Sequence, residues 1–201
     1  MKNKNLLIVF TRNPELGKVK SRLAKDIGNV NALEIYKELL RHTNEITKNI
    51  AVDKWVFYSE NIQESDLWET SVFSKKLQKG DTLGDKMSNA FIEGFDNGYE
   101  NIIIIGSDIY DLKSEHINLG FNKLLNFDTV LGPAADGGYY LFGMKTYISE
   151  VFKNKNWGKE TVLKNTVSDL EGKKTIYFLE TLNDIDVISD INVDSFLAKY
   201  I

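Results

Sequence analysis

The chain has 201 residues, is 42% hydrophobic and carries a net charge of −4, values that suit one well-buried core and argue against a general nucleic-acid binder. Zero cysteines exclude disulfides, thiolate catalysis and Cys-zinc sites, and two isolated histidines, His42 and His116, speak against a His-based metal site, so a bound metal is expected to take oxygen ligands. No apolar run approaches the roughly 20 residues that span a bilayer, and residues 1–5 followed only by residues 6–10 lack a leader's longer apolar stretch; a cytoplasmic single domain over residues 1–201 is expected.

Charge is unevenly spread. Residues 1–24 hold six Lys/Arg against one Glu, which leaves 19 basic and 28 acidic residues elsewhere, so a segment of +5 faces a remainder of −9. One local anionic group, such as a phosphate, fits that asymmetry. A first apolar strand at residues 6–10 runs into Thr11-Arg12-Asn13-Pro14-Glu15-Leu16-Gly17-Lys18-Val19-Lys20-Ser21-Arg22-Leu23, a loop with Pro, Gly and four cations. Lys18, Lys20 and Arg22 alternate beside an expected helix start, where free N–H groups and the positive dipole end favour anions. Arg grips phosphate oxygens through two N–H groups and Lys acts as a compact charge; a solvated basic turn is the bland alternative. No G-x-x-x-x-G-K-[ST] occurs and no G-x-G-x-x-G follows a strand, which sets aside P-loop ATPases and nicotinamide dehydrogenases.

Leu33, Tyr36, Leu39/Leu40, Thr43 and Ile46 predict a sheet-packed helix over residues 30–50, with His42 structural or on its surface. Residues 55–58 read as a second strand, 61–74 as irregular or weakly helical, and 76–78 as a short third strand. A helix with the stripe Leu83, Met87, Phe91 and Phe95 follows; Asp81 or Thr82 is its expected cap, and Asp85, just inside, suits either the dipole or a ligand.

The strongest signal lies mid-chain. Ile102, Ile103, Ile104 and Ile105 read as a strand buried on both faces of a mainly parallel sheet, and Gly106-Ser107-Asp108 puts an acid at its carboxyl end, the edge where open α/β sheets bind ligands. A helix capped by Asp111 or Ser114 follows, with Ile117, Phe121, Leu124 and Leu125 inward and His116 exposed in its first turn. Residues 129–131 form a strand, and Asp136 stands at the tip of the turn Gly132-Pro133-Ala134-Ala135-Asp136-Gly137-Gly138 before an extended pattern resumes at Tyr139. A helix over 159–170, a strand over 175–179 and a closing helix over 192–200 complete the α/β pattern, with Asp184-Ile185-Asp186 read as turn and cap chemistry. The only prolines, Pro14 and Pro133, stiffen the two loops already singled out.

The ordered set Phe10-Thr11-Arg12-Asn13-Pro14, Gly17-Lys18-Val19-Lys20-Ser21-Arg22-Leu23, Gly80-Asp81, Leu83-Gly84-Asp85-Lys86-Met87, Gly106-Ser107-Asp108, Leu131-Gly132-Pro133 and Asp136-Gly137-Gly138-Tyr139-Tyr140-Leu141 resembles a small family of GT-A-type transferases described as glycosyltransferase-like. That family shares its fold with molybdenum-cofactor and phospholactate guanylyltransferases, and the match continues through Trp157 and Thr161 to Asp184-Ile185-Asp186. The resemblance implies a single-domain three-layer α/β/α sandwich with a mostly parallel, mixed sheet, like that of nucleotide-diphospho-sugar transferases. It implies that Arg12, Lys18, Lys20 and Arg22 face nucleotide phosphates, that Asp85 lies near the nucleotide, and that Asp108 holds Mg²⁺ or Mn²⁺. Asp136, Gly137 and Gly138 would border the acceptor or sugar side, where Tyr139 or Tyr140 stacks on a sugar or belongs to the core. Ser21 stands where the family has Thr, Tyr110 where it has Pro, and Asp108 and Asp111 are spaced D-x-x-D rather than D-x-D.

The expected activity is metal-dependent glycosyl transfer from a nucleotide-diphospho-sugar to a small-molecule acceptor. The cation and the basic loop would neutralise the leaving diphosphate, and Asp136 would position or deprotonate the acceptor hydroxyl. Nucleotidyl transfer from an NTP to a phosphorylated acceptor, releasing pyrophosphate, is the alternative; a nucleotide-binding module without catalysis is the third reading.

Overall fold

Successive residues of a strand point to opposite faces, so a strand covered on both sides must be apolar at every position. The four isoleucines of β4 (Asn101–Ile105) meet that demand in the computed structural model of the protein, which describes residues 4–201. Residues 1–3, part of the stretch weighed as a leader, lie outside the described residues. Ile103 and Ile105 share one core with Leu7 and Val9 of β1 (Asn5–Thr11), while Ile102 and Ile104 join Leu6 and Ile8 in the other. Each such side chain contributes about 1.5–3 kcal/mol on full burial.

The remaining strands are β2 (Asp53–Tyr58), β3 (Ser74–Leu77), β5 (Thr129–Pro133), β6 (Tyr139–Met144) and β7 (Ile176–Phe178), and the sheet order is β3-β2-β1-β4-β6-β5-β7. Only β6 runs against its neighbours. Helices α1 (Ala24–Lys48) and α3 (Ser114–Leu124) supply Tyr36, Leu40, Ile117 and Phe121 to the first core; α2 (Leu83–Asp96) and α4 (Val162–Leu170) supply Met87, Phe91 and Leu170 to the second. The result is the expected three-layer α/β/α domain with a mixed, mostly parallel sheet. No helix among the described residues is long and apolar enough to cross a membrane. The chain steps outward from β1 to β2 and β3, then returns to the far side of β1 as β4. That reversal opens a crevice beyond the carboxyl ends of β1 and β4.

Local departures from the sequence reading have physical causes. Gly28, at φ 81° and ψ 159°, breaks the start of α1, leaving one turn before the long helix. Leu125 is 69% exposed because α3 ends at Leu124 and the stripe ends with it. Neither Asp111 nor Ser114 caps α3; the Nδ1 of His116 accepts the Lys113 N–H at 3.0 Å, and its Nε2 meets Glu180 at 2.5 Å, so the expected exposed histidine is only 13% exposed. Turns and a bend occupy 157–161, and α4 begins at Val162 rather than 159. The predicted closing helix over 192–200 is reduced to a 3-10 turn at Phe196–Tyr200, preceded by another at Ile188–Asp190, in a segment where Val193 and Phe196 stay exposed and only Leu197 of that stripe is fully buried. It is anchored by Ile185, Ile191 and Leu197, which pack on Leu23, Ile35 and Leu39 as a third cluster.

Gly84 marks the closest packing of α2, since a Cβ there would meet the Phe152 carbonyl oxygen and come within 2.7 Å of the Trp157 Nε1. Gly84→Ala should therefore lower stability by about 1–3 kcal/mol, read as a lower urea midpoint at unchanged slope. An unchanged midpoint would show that the 152–157 segment yields freely.

Candidate active site

Two buried polar side chains fasten the strand exits. Asn13 follows β1; its Oδ1 accepts the Glu60 N–H at 3.0 Å, and its Nδ2 donates to the Asn61 carbonyl and side-chain oxygens at 2.8 Å each. A buried amide so fully paired is rigid, which locks the loop after β1 to the loop after β2. Tyr36 links β1 to β4 in the same way. Its Oη accepts the Arg12 N–H at 2.8 Å and lies 3.2 Å from the Thr11 Oγ1 and 3.3 Å from the Ser107 Oγ. Burial, with the Asp108 charge, raises the Tyr36 phenol above its ordinary value, so the hub stays neutral. Sequence patterning showed Tyr36 only as a stripe residue and gave no role to Asn13.

Lys20 then turns the basic loop. It adopts φ 48°, a left-handed conformation that costs a non-glycine residue about 1–2 kcal/mol. Its side chain is 4% exposed, and Nζ donates to the Asp108 Oδ2 at 3.0 Å and to the Asp186 Oδ1 at 3.2 Å. Arg22 holds the other Asp186 oxygen at 3.2 Å. Burial works against the Lys20 charge, but the two carboxylates outweigh it and lift its pKa. Burial likewise opposes the Asp108 charge, and Lys20, Arg12 and the Ser107 backbone outweigh it, holding this 44%-exposed carboxyl below the usual range. Both partners are ionised.

Asp186 arrives by a different route from the one expected. Ile185 is buried in the third cluster, and its N–H donates to the Asp108 carbonyl at 3.2 Å, which pins residues 184–186 beside β4. Reading Asp184 and Asp186 as turn and cap acids is thereby corrected: Asp190 does the capping, accepting the N–H groups of Asp186 and Val187 at 2.9 and 2.8 Å. Asp186 is left for Lys20 and Arg22. Asp184 is half-buried; burial first, then the charges of Asp136 and Asp186, push its carboxyl up to about 6. Asp136 is thus within electrostatic reach of the cluster, at the exposed tip of its turn, where its Oδ1 accepts the Gly138 N–H at 2.8 Å.

Other expected site residues are occupied elsewhere. Lys18 pairs with Glu15 at 2.8 Å and Glu60 at 3.2 Å. The Asp85 carboxylate accepts the Thr82 N–H at 3.0 Å while the Thr82 Oγ1 accepts the Asp85 N–H at 3.1 Å, a complete capping box. Gly137, at φ 86°, is required by the protein's own chain: a Cβ would strike the Glu160 backbone, and the Gly137 carbonyl accepts the Leu163 N–H at 2.9 Å. Tyr139 packs among Phe142, Trp157 and Met87 and belongs to the second core. The amides of residues 24–27 bond to the carbonyls of Lys20, Arg22 and Leu23, so the first turn of α1 does not present the free N–H groups expected there.

Among the described residues, no group of three acidic or imidazole side chains forms a ready metal cage. Mg²⁺-type ions, however, commonly take one or two protein carboxylates and complete their shell with water and phosphate oxygens. Asp108 and Asp186, hard donors already sharing one cation, fit that requirement. A cavity of about 160 Å³ lies beside the loop, lined by Arg12, Asn13, Pro14, Tyr58, Asp66 and Trp68; Lys20 and Asp108 do not line it.

A mixed α/β/α sheet with cations leaving β1 and an acid leaving β4 defines the nucleotide-diphospho-sugar transferase-like fold, on which nucleotide-using transferases are built. The chain belongs to the bacterial family described as "Uncharacterized protein conserved in bacteria" (DUF2064), whose model matches residues 42–159. A candidate nucleotide-diphospho-sugar transferase from Desulfovibrio desulfuricans G20 is 29% identical, with a TM-score of 0.87 over 95% of this chain and 86% of that one. The 4-diphosphocytidyl-2C-methyl-D-erythritol synthase of Anaerococcus prevotii DSM 20548 is 9% identical, with a TM-score of 0.58 over 94% and 92%. CMP:2-keto-3-deoxy-manno-octonic acid synthetase, complexed with CTP, is also 9% identical, with a TM-score of 0.54 over 92% and 94%. These two likenesses are of fold alone. No curated protein matches the sequence.

The Asp184 shift has a measurable sign. An acid whose folded pKa exceeds its ordinary value of 3.8 favours folding only while protonated, so that contribution is present below pH 3.8 and lost as pH rises to about 6. Asp184→Asn should thus gain on wild type by about 1 kcal/mol between pH 4 and pH 7.5, the full shift being discounted for a half-exposed group. Parallel stability curves in urea across that range would remove Asp184 from the charged cluster.

Proposed function

We propose that the chain is a divalent-cation-dependent glycosyltransferase that uses a nucleotide-diphospho-sugar. The observation that carries this reading is the convergence of Lys20, Arg22, Asp108 and Asp186 at the crevice beyond β1 and β4. When a sugar–phosphate bond breaks, negative charge grows on the departing diphosphate, and cations already fixed in place lower that barrier. Arg12, Lys20 and Arg22 would bind the phosphates. Asp108 with Asp186 would hold Mg²⁺ or Mn²⁺, which supplies further charge neutralisation on phosphate oxygens when bound. Asp136 would orient the acceptor hydroxyl and take its proton as the oxygen attacks the anomeric carbon and the diphosphate leaves with the bonding electrons. The 29% identity to the D. desulfuricans protein supports a nucleotide-sugar donor.

Nucleotidyl transfer is the second reading, and a specific observation favours it. The space expected beyond Gly137 for a sugar ring is filled by Glu160, and Tyr139 lies in the core. In that reaction the same cations would hold an NTP while an acceptor phosphate attacks the α-phosphorus and pyrophosphate leaves.

A thermal-shift screen in Mn²⁺ separates the two, because ligand binding raises apparent stability by mass action. A nucleotide-sugar should raise the melting temperature more than its parent diphosphate, and incubation with an acceptor should release that diphosphate. Consumption of an NTP with pyrophosphate release, and no binding of any nucleotide-sugar, selects nucleotidyl transfer instead. Arg22→Ala should weaken nucleotide affinity by about 1–3 kcal/mol through loss of a charge-assisted contact; unchanged affinity in a folded variant would take the basic loop out of the site.

A further inference from the structure

We infer that the Lys20 ammonium is a built-in placeholder for the divalent cation: it bridges Asp108 and Asp186 in the nucleotide-free protein, masks that pair against metal ions, and transfers to phosphate when a nucleotide arrives. The inference rests on the reading of Asp108 as a cation ligand and adds a competitor for that ligand from within the chain.

Three observations carry it. The first is the identity of the oxygens. Lys20 Nζ stands 3.0 Å from the Asp108 Oδ2 and 3.2 Å from the Asp186 Oδ1, so these two carboxylates share one buried cation. A hard ion bound directly to those oxygens, at about 2.0–2.1 Å for Mg²⁺, would stand against the ammonium at short range, where like charges repel. The second is that the bridge is held by the backbone. Lys20 sits at φ 48°, its carbonyl accepts the Ala24 N–H at 2.8 Å, and its side chain is 4% exposed, whereas neighbouring Lys18 is exposed and paired on the surface. The third is the company it keeps. Arg22 already holds Asp186, and Arg12 acts on Asp108, so a polyphosphate drawn to these cations would offer the Lys20 ammonium acceptor oxygens beside its present partners. A lysine carries its charge on a flexible four-carbon stem with three rotatable donors, which permits the transfer without moving the fixed backbone.

The consequence is positive coupling between phosphate and metal, on the scale of roughly 5- to 150-fold usual for linked sites. The sign distinguishes this arrangement from a simple phosphate-binding lysine. Removing a placeholder should weaken phosphate binding yet tighten metal binding in the absence of any nucleotide.

The test is a nucleotide-free Mn²⁺ titration, followed by the electron paramagnetic resonance signal of free Mn²⁺, of wild type, Lys20→Met and Lys20→Gln, each alone and combined with Asp108→Asn. Two neutral replacements are used because leaving Asp108 and Asp186 facing each other costs stability, and the one that retains a cooperative melt is read; Mn²⁺ should also raise its melting temperature more than that of wild type. The expected result is Mn²⁺ affinity about tenfold or more above wild type, lost when Asp108→Asn is added. Affinity equal to or below wild type, with the wild-type binding abolished by Asp108→Asn, overturns the placeholder and leaves Asp108 as a metal ligand. Absence of any Asp108-dependent Mn²⁺ binding in every protein overturns both.

Discussion

The ammonium of Lys20 between the carboxylates of Asp108 and Asp186 is the interaction around which the crevice is arranged. An ion pair with a buried member contributes little net stability, because desolvating that charge offsets much of the attraction. A folded chain that nevertheless holds a lysine at φ 48° to complete such a pair accepts a local cost where ligands of this fold class bind. The three members come from distant parts of the chain: the loop after β1, the exit of β4 and the arm after β7. Each is separately fixed. Asn13 locks the first loop to the exit of β2, Tyr36 ties Arg12 to Ser107, and the buried Ile185 carries Asp186 against β4. The polar hubs and the third apolar cluster are therefore parts of one framework that fixes the backbone carrying these charges.

The centre of the sheet was legible because four consecutive isoleucines tolerate only a strand covered on both faces, and the position of Asp108 just past the carboxyl end of that strand was legible with it. The cations after β1 were legible by their density, but not their individual partners. Lys18 and Lys20 are equivalent in the sequence, and only the left-handed turn at Lys20 sends one inward while the other stays with Glu15 and Glu60. Asp186 was missed because 166 positions separate it from Lys20 and nothing local in the sequence brings the two together. The remaining signal was Ile185, a lone apolar residue between two acids, which proved to be the anchor.

Glycines and aromatics misled for a shared reason. Gly137 and Tyr139 were assigned to the ligand because they follow an acid on a turn at the binding edge. The sequence does not say whether the chain itself will use the space a glycine leaves, and here the Glu160 backbone does. Asp85 is similar: an acid in the first turn of a helix satisfies the Thr82 capping box, and that local demand accounts for it. The family match over residues 42–159 contains Asp85, Asp108 and Asp136, whereas Lys20, Arg22 and Asp186 lie on either side of it. The acid at the end of β4 thus belongs to the matched segment, and its counter-charges come from the flanks.

The most direct measurement of the central claim is anomalous diffraction at the manganese edge from crystals grown with Mn²⁺ and a nucleoside diphosphate. The account predicts one anomalous peak within coordination distance of the Asp108 carboxylate, with the diphosphate against Arg12, Lys20 and Arg22 and the Lys20 ammonium on phosphate rather than on Asp108. Manganese bound away from Asp108, or a diphosphate seated away from the loop after β1, would contradict it.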